Sequence, residues 1–245
     1  MLSLSLMPTG EANAYPPRMF PSRVTLEHYR TLFTRLDMWH YVVNSALLAG
    51  SVTVISVFIN GMAGYAFAKL RFAGRDGLYR VLAGAMVIPG QVTMLPLFLM
   101  VKELGLVNTY AGAMVPWLAS IFGIFLVRQY AFAIPEDLLD AARVDGASEW
   151  RIFRSVVVPV IRPILLTLAV FTFMGAWNDF LWPLIVLSND ARYTLPVALA
   201  NLSLEHVQDT ELMMAGAVLT VLPVLALFLA MQRYYMDGIT AGSVK

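Results

Sequence analysis

Residues able to do chemistry are few in this chain, and most of them lie in one stretch. No cysteine is present, and His28, His40 and His206 are far apart in sequence. The types and spacings therefore indicate neither a thiolate nucleophile nor a Cys- or His-ligated metal. The chain also lacks a Gly-x-x-x-x-Gly-Lys-Ser/Thr phosphate loop, so ATP-driven work would need another polypeptide. What remains is a polar, charged stretch at residues 136–163.

Residues 136–163 have the signals of two short helices joined by a tight turn. Pro135, Glu136 and Asp137 suit a first helical turn, because proline is tolerated there and acidic side chains favour the positive end of the helix dipole. Gly146 is placed to end this helix in a left-handed cap, and Ser148 to cap the second. The apolar positions are Leu138, Leu139, Ala141, Ala142 and Val144, followed by Trp150, Ile152 and Phe153. This pattern predicts a docking element for a soluble partner, although a hairpin that merely joins two spans has the same pattern.

A second polar group, Trp177, Asn178 and Asp179, interrupts an apolar run. A charged residue in mid-membrane costs at least about 2.5–3.5 kcal/mol on insertion scales, so Asp179 should face protein or water. One interpretation is that the three residues line a path for a solute, which the indole face and the polar groups would contact. The other is a structural hydrogen bond or ion pair between helices, or a site near the membrane edge.

Composition places these residues in a polytopic all-α membrane protein. The chain has 245 residues, of which 13% are charged and 59% hydrophobic, whereas a soluble domain has about 25% charged residues. The net charge of +1 gives no reason to expect a nucleic-acid partner. A span needs about 20 apolar helical residues. The segments that meet this requirement are residues 41–68, 78–101, 110–132, 164–187 and 212–233. Pro89 and Pro96 predict a kink or break in the second segment.

Lys and Arg in the connecting segments predict the orientation. Residues 69–80, 128–163 and 233–245 contain eleven of them, and the remaining segments contain six. The first set is expected on the cytoplasmic side, together with the C-terminus. Five spans would then leave residues 1–40 outside as an external N-terminal segment, yet these residues contain no signal peptide. We therefore expect that a first helix is missing, that the intact protein has six spans, and that residues 41–245 form the transmembrane domain.

Several motifs resemble one family of transport proteins. Asp140-Ala141-Ala142, then Gly146, then Val156-x-Val158-Pro159 is similar to the "EAA" loop of ABC importer permeases, with Asp, Val and Val in place of Glu, Ile and Leu. The remaining matches resemble the carbohydrate, maltose-type branch of that family. They are Asn44-Ser45, residues 65–70, Pro89-x-Gln91, Leu95-Pro96, residues 177–183 and residues 238–242.

The resemblance implies a permease subunit rather than an enzyme. It would form half of a pore for a sugar, an oligosaccharide or a glycerol phosphate derivative, with a second permease, two copies of a cytoplasmic ATPase and an external solute-binding protein. ATP and Mg would bind to the ATPase, and this chain would hold no cofactor. It would lie in the inner membrane as a multi-pass protein in contact with lipid. The residues implied in coupling to the ATPase are Leu138, Leu139, Asp140, Ala141, Ala142, Arg143, Asp145, Gly146, Trp150 and Pro159. The tail residues Gly238, Thr240 and Gly242 would contact the ATPase as well.

Within that reading, Leu138, Leu139, Ala141, Ala142 and Trp150 are expected to be buried against the ATPase. Asp140, Asp145, Arg143 and Arg151 are expected to form ion pairs at the rim of that contact. Exposed pairs contribute only about 0–1 kcal/mol each, so the affinity should come from the apolar face.

Other classes remain open. A secondary transporter would need buried ionisable residues and inverted repeats, and Asp179 is the clearest ionisable candidate. A membrane-embedded enzyme would need a His, Asp or Glu cluster inside a span. A permease for a non-carbohydrate solute would share the 136–163 stretch, so residues 177–183 and 238–242 are what favour carbohydrate.

Overall fold

The computed structural model describes residues 1–16, 18–205 and 209–240, and side chains there except at 204–205 and 231–240. These residues form α-helices without a β-strand, which confirms the predicted fold class. The helices are α1 (Leu2–Ser5), α2 (Glu27–Thr34), α3 (Met38–Lys69), α4 (Arg75–Ala85), α5 (Gly90–Glu103), α6 (Tyr110–Leu118), α7 (Ile121–Phe132), α8 (Glu136–Val144), α9 (Glu149–Ile152), α10 (Val158–Trp177), α11 (Leu181–Val186), α12 (Leu195–Glu205) and α13 (Thr210–Thr240).

Three of the described helices are long and apolar enough to cross a membrane, namely Met38–Lys69, Glu149–Trp177 and Thr210–Ala230. Two bent pairs pass the same test together. α4 and α5 meet at 110°, and α6 and α7 meet at 42°. If each pair forms one span, the total is the five that the sequence predicts.

The break in the second span lies at Pro89, as predicted, while Pro96 is accommodated inside α5. The chain leaves α4 through tight turns, in which the amides of Val87 and Ile88 donate to carbonyls three residues back. Proline disfavours the helical conformation of the residue before it, so α4 ends before Pro89.

The fourth span is shifted from its predicted position at residues 164–187. α9 continues through a π-helical turn, Phe153–Val157, into α10, and the whole helix runs from Glu149 to Trp177. Pro159 does not stop it, because the preceding π-helical turn has already changed the hydrogen-bond ladder where the proline amide is missing. The helix ends at Trp177, inside the predicted span, where Asn178 and Asp179 favour a break.

By internal contacts the chain forms two compact units. One comprises Met1–Leu48, Val101–Ala113 and Trp177–Ala230. The other comprises Ala49–Met100 and Met114–Ala176, with the described residues from Met231 onward.

In the first unit, α3 is tied to the segment before α12. The Asn44 side-chain amide donates to the carbonyls of Ala191 and Tyr193, at 3.1 and 3.0 Å. The Ser45 hydroxyl accepts the Leu195 amide at 2.7 Å. The Asn44-Ser45 motif therefore supplies the polar groups that satisfy a buried loop backbone.

The second unit has a core shared by α3, α7, α8 and the Glu149–Trp177 helix. α3 and α7 touch at Gly64, where an added Cβ would lie 2.6 Å from the Val127 side chain. At Gly84 and Gly90, by contrast, nothing lies within 4 Å of an added Cβ.

Candidate functional site

α8 is held to the second unit by its inward face. Leu139 is fully buried, and so is Ile152 of α9, in a cluster that also contains Val157 and Ile161. Ala142 packs against the same cluster. The expectation that Leu139 contacts a partner is therefore corrected, because its surface is covered by the chain's own core, whereas Ala142 is only partly buried and its predicted contact stays a prediction. The role of Leu139 in this structure is to seat α8.

The outward face of α8 stays uncovered. Leu138 is 43% exposed and Val144 is 88% exposed, and Ala141 between them is exposed as well. These residues are three apart, so they lie along one side of the helix. Val144 belonged to the predicted apolar surface but not to the coupling set. The exposure of a large aliphatic side chain beside polar neighbours marks it as an additional contact candidate.

The turn after α8 is a Schellman motif, as the position of Gly146 predicts. Gly146 has φ +78°, its amide donates to the Arg143 carbonyl, and the Ala147 amide donates to the Ala142 carbonyl, both at 3.0 Å. No atom lies within 4 Å of where a Cβ on Gly146 would be. The turn therefore needs glycine for its backbone conformation and leaves open space outside it. Ser148 then caps α9 by accepting the Arg151 amide.

Three charged residues of this region, Asp140, Arg143 and Glu149, are paired within the chain. Arg143 donates to Asp140 at 2.7 Å and to Glu149 at 2.9 Å, so it joins α8 to α9. The hydrogen bonds that Arg143 donates, first to Glu149 and then to Asp140, raise the pKa of Arg143 above its usual value. The predicted rim residues Asp140 and Arg143 are thus paired with each other, while the Asp140 side chain stays exposed, and their role in a partner contact stays a prediction. Asp145 and Arg151 remain exposed.

Two residues of α3 complete this site and were missed as site residues. Tyr65 donates its hydroxyl to Glu149 at 2.8 Å, and Lys69, one turn later, pairs with Glu136 at 2.8 Å. The Lys69 ammonium also donates to the Ile134 carbonyl at 2.6 Å, just past the end of α7. The sequence indicates Tyr65 and Lys69 only as members of the 65–70 motif. A lysine that closes an apolar helix four residues after a tyrosine is the signal that could have identified them.

Trp150 stands at the other edge of α8–α9 and is 53% exposed. Its ring lies 5.7 Å from that of Phe153 and 6.0 Å from that of Phe58 on α3. Pro159 is exposed on the helix that follows. Beneath α8, a polar groove of about 640 Å³ is lined by residues that include Lys69, Glu136 and Glu149.

Of the two interpretations of Trp177, Asn178 and Asp179, the structure favours the structural one for Trp177. Trp177 is 2% exposed, and its indole N–H donates to the Thr220 carbonyl of α13 at 3.0 Å. It therefore offers no open face for a sugar, and the alternative interpretation, an interhelical hydrogen bond, fits it. Asp179 accepts the Trp182 amide at 3.4 Å before α11. Asn178 is exposed, and Asp179 lies at a helix break rather than inside a span.

Trp182 repeats the arrangement of Trp177. It is 2% exposed and donates its indole N–H to the Gly112 carbonyl at 3.0 Å. Asn60 of α3 is fully buried. It accepts the Ser120 amide at 3.0 Å where α6 gives way to α7. Both residues act on helix packing.

The tail residues Gly238 and Thr240 lie in the last turns of α13, and Gly242 lies outside the described residues. Within the part of the chain that the structure describes, no group of His, Asp and Glu side chains is arranged to hold a metal ion.

A bundle of apolar helices carrying a short amphipathic helix, with its inner face packed and its outer face open, defines a membrane transport subunit of the permease class. The model of the family "Binding-protein-dependent transport system inner membrane component" matches residues 39–240. The chain belongs to this family, as its motifs indicated.

Relatives cover almost the whole chain. The arabinooligosaccharides transport system permease protein of Halalkalibacterium halodurans is 37% identical over 226 residues, which are 92% of this chain and 81% of that protein. The trehalose transport system permease protein of Mycobacterium tuberculosis is 35% identical over 254 residues, 100% of this chain and 90% of that protein. The fold is similar to a chain in the crystal structure of a bacterial ABC transporter that imports the polysaccharide alginate. The TM-score is 0.85 and the identity 22%, over 96% of this chain and 88% of that one.

Proposed function

We propose that this chain is the permease subunit of an ATP-driven importer and that α8 is its docking surface for a separate cytoplasmic ATPase. The observation that carries the proposal is the two-sided burial of α8. Leu139 seats the helix in the core, while Leu138 and Val144 remain open. Apolar side chains on the outside of a seated helix are the anchors of helix-in-groove recognition. The ATPase, present in two copies, would bind ATP and Mg.

The helix after the Gly146 turn is continuous, and this explains how movement of the ATPase would reach the membrane. α9 is the first part of the Glu149–Trp177 helix, and Arg143 ties α8 to it through Glu149. Movement of α8 with the ATPase is therefore passed directly to a membrane span, without a flexible linker. Alternating access would result when this span moves, with the C-terminus and α8 on the cytoplasmic side as the Lys and Arg distribution predicts.

The proposed solute is a saccharide, delivered by an external binding protein to a pore shared with a second permease. Support comes from relatives, since the matched permease proteins are named for arabinooligosaccharides and trehalose, and a third, from Rhizobium radiobacter, is named for lactose. The third is 36% identical over 219 residues.

Cysteine cross-linking tests the docking surface, because the native chain contains no cysteine. Val144→Cys places a thiol at a position that is 88% exposed on α8. A bifunctional thiol reagent should join it to the ATPase in the intact complex. Val87→Cys, at a position 83% exposed after α4, is the control and should not react with that subunit. Failure of Val144→Cys to cross-link, together with full uptake by Val144→Asp, would reject the docking role.

Substitution at Gly146 tests the same surface without altering α8. Asparagine tolerates the left-handed backbone, and no atom of the chain blocks its Cβ. Gly146→Asn should therefore accumulate in the membrane, yet lose uptake and release the ATPase, because its side chain projects toward the partner. Gly105→Asn is the control, since Gly105 has φ +68° and the same open surroundings. Normal uptake by Gly146→Asn would contradict the proposal.

The solute class is tested on the purified complex in nanodiscs with its binding protein. An arabinooligosaccharide, trehalose and lactose are compared with methionine for stimulation of ATP hydrolysis. Stimulation by a saccharide alone supports the proposal. Stimulation by methionine and by none of the saccharides would overturn the proposed solute class while leaving the docking role intact.

A further inference from the structure

An apolar groove lies between α3 and the Glu149–Trp177 helix, within the second unit. Its volume is about 360 Å³, and its walls include Val54, Phe58, Phe153, Val158, Leu165 and Ala169. Val54 is 71% exposed and Phe58 is 47% exposed, so the groove opens to the surroundings. Thr53 also lines it, but its hydroxyl donates to the Ala49 carbonyl of its own helix at 2.6 Å. The groove therefore suits a hydrocarbon chain.

Positive charge lies on the helix that forms one wall of this groove, with Arg154 at one end and Arg162 near the middle. Arg162 follows Val158 by four residues and precedes Leu165 by three, so helical spacing places it on the groove-lining side. Arg154 lies one turn before Val158, across the π-helical turn. Both arginines are exposed, and neither forms an ion pair with a described residue. They are about 12 Å apart along the helix, at a rise of about 1.5 Å per residue.

No acidic side chain competes for these arginines on either helix wall. α3 contains no Asp or Glu from Met38 to Lys69, and the other helix contains none from Arg154 to Trp177. The nearest acid before Arg154, Glu149, is engaged by Tyr65 and Arg143. Trp150, packed on Phe58 and Phe153 at this end, is the residue type that prefers the membrane interface.

From this arrangement we propose that the groove binds an anionic phospholipid of the leaflet on the α8 side. One acyl chain lies along Phe58, Val158 and Leu165, the phosphate pairs with Arg154, and Arg162 adds positive charge farther along the groove. Basic pockets between membrane helices recognise anionic headgroups in this way, with apolar walls that retain the chain. The groove is lined by α3 and the Glu149–Trp177 helix and not by the exposed face of α8, so lipid binding there goes beyond the proposed function. Its position beside the moving helix gives lipid composition a means of affecting transport.

Native mass spectrometry tests the proposal on the full chain with the subunits that co-purify with it. The protein is equilibrated in nanodiscs of equal parts phosphatidylglycerol and phosphatidylcholine, and the lipids retained after release are counted. The positive charge of Arg154 and Arg162 should favour phosphatidylglycerol about tenfold. Arg154→Gln combined with Arg162→Gln should reduce this ratio to near unity. Arg71→Gln combined with Arg80→Gln removes the same charge from exposed positions away from the groove and should leave it unchanged.

The groove itself is tested by filling it. Ala169→Phe should lower retention of the selected lipid, while Val221→Phe, at an exposed position of α13, should not. Equal retention of the two lipids by the unaltered protein, or selectivity that survives the double arginine variant, would overturn the proposal. A second permease could instead cover the groove. Val54→Cys would then resist a membrane-soluble maleimide in every lipid and cross-link to that chain, which would also overturn it.

Discussion

Two polar interruptions in the apolar pattern, residues 136–152 and residues 177–182, have opposite structures. In the first, Leu138, Val144 and Trp150 remain exposed, while the backbone groups of the turn are satisfied inside the segment. In the second, Trp177 and Trp182 are buried and use their indole N–H groups to satisfy distant carbonyls. The large side chains thus form an exposed surface in residues 136–152, whereas in residues 177–182 they pack between helices.

The difference has a physical origin in the backbone. The turn at Gly146 satisfies its own carbonyls through the Schellman hydrogen bonds, so its side chains are free to face outward. Gly112 and Thr220 have carbonyls that accept an indole N–H. A tryptophan is favoured at such positions because it combines a large apolar ring with one donor. Trp177 and Trp182 are therefore buried where a backbone carbonyl can accept the indole N–H.

The sharpest test of this comparison is Trp177→Ala. Removal of a fully buried indole and its hydrogen bond should destabilise the protein by about 3–5 kcal/mol, and the amount in the membrane should fall. Trp150→Ala is the control, since Trp150 is 53% exposed, and it should accumulate normally. Membrane abundance and thermal stability of the purified protein measure both. If Trp177→Ala accumulates with unchanged stability but loses uptake, Trp177 lines the path after all.

Adjacent leucines of α8 provide the next test. Leu139→Ala should cost about 2–5 kcal/mol, because the side chain is fully buried among Ile152 and Val157. Leu138→Ala should change stability by less than about 0.5 kcal/mol, as exposed substitutions usually do, but should weaken ATPase binding. Thermal unfolding and ATPase co-purification separate the two effects. Similar unfolding temperatures for both variants would show that α8 does not have distinct inner and outer faces.

Local signals around α8 were sufficient to predict its ends from the sequence. Pro135, Gly146 and Ser148 act on their own backbone neighbours, so their effects do not depend on the rest of the fold. The inward choice of Leu139 over Leu138 could not be predicted, because both fit an apolar face and only packing against Ile152 decides between them. The internal pairing of Arg143 with Glu149 required the same knowledge of how α8 and α9 meet.

Residues 177–182 were harder to predict, because hydropathy does not reveal where an apolar helix ends. Residues 164–187 read as one apolar span, and the helix break at Asn178 and Asp179 is short. Both residue types favour helix ends. The long apolar runs on either side hide that signal in the hydropathy pattern. The carbonyls that accept the indoles of Trp177 and Trp182 belong to residues 43 and 70 positions away in the chain, so no local pattern contained them.

The hydrogen bond from Tyr65 to Glu149 allows a smaller test of how α8–α9 is seated. Tyr65→Phe removes only the hydroxyl, and loss of a hydrogen bond to a charged group should cost about 1.5–3 kcal/mol. Arg143 still pairs with Glu149 in this variant, so the cost should lie at the lower end of that range. Thermal unfolding measures it. Tyr41→Phe, which removes an exposed hydroxyl bonded to Asp190, is the control with a smaller expected effect. Equal shifts for the two variants would argue against a seating role for Tyr65.

Asp179 is the position where the smallest effect on stability is expected. A substitution there distinguishes a residue that contacts the solute from one with a purely structural role. Its contact with the Trp182 amide is long, at 3.4 Å, so Asp179→Asn should change stability by less than about 1 kcal/mol, the usual value of a helix-capping side chain. Asparagine retains the accepting oxygen and removes the charge. If the carboxylate contacts solute, the KM for uptake should rise while membrane abundance and ATPase co-purification stay constant. If Asp179 has a purely structural role, the KM should remain unchanged. Asp179 would then resemble Trp177, which packs inward, and differ from the exposed face of α8.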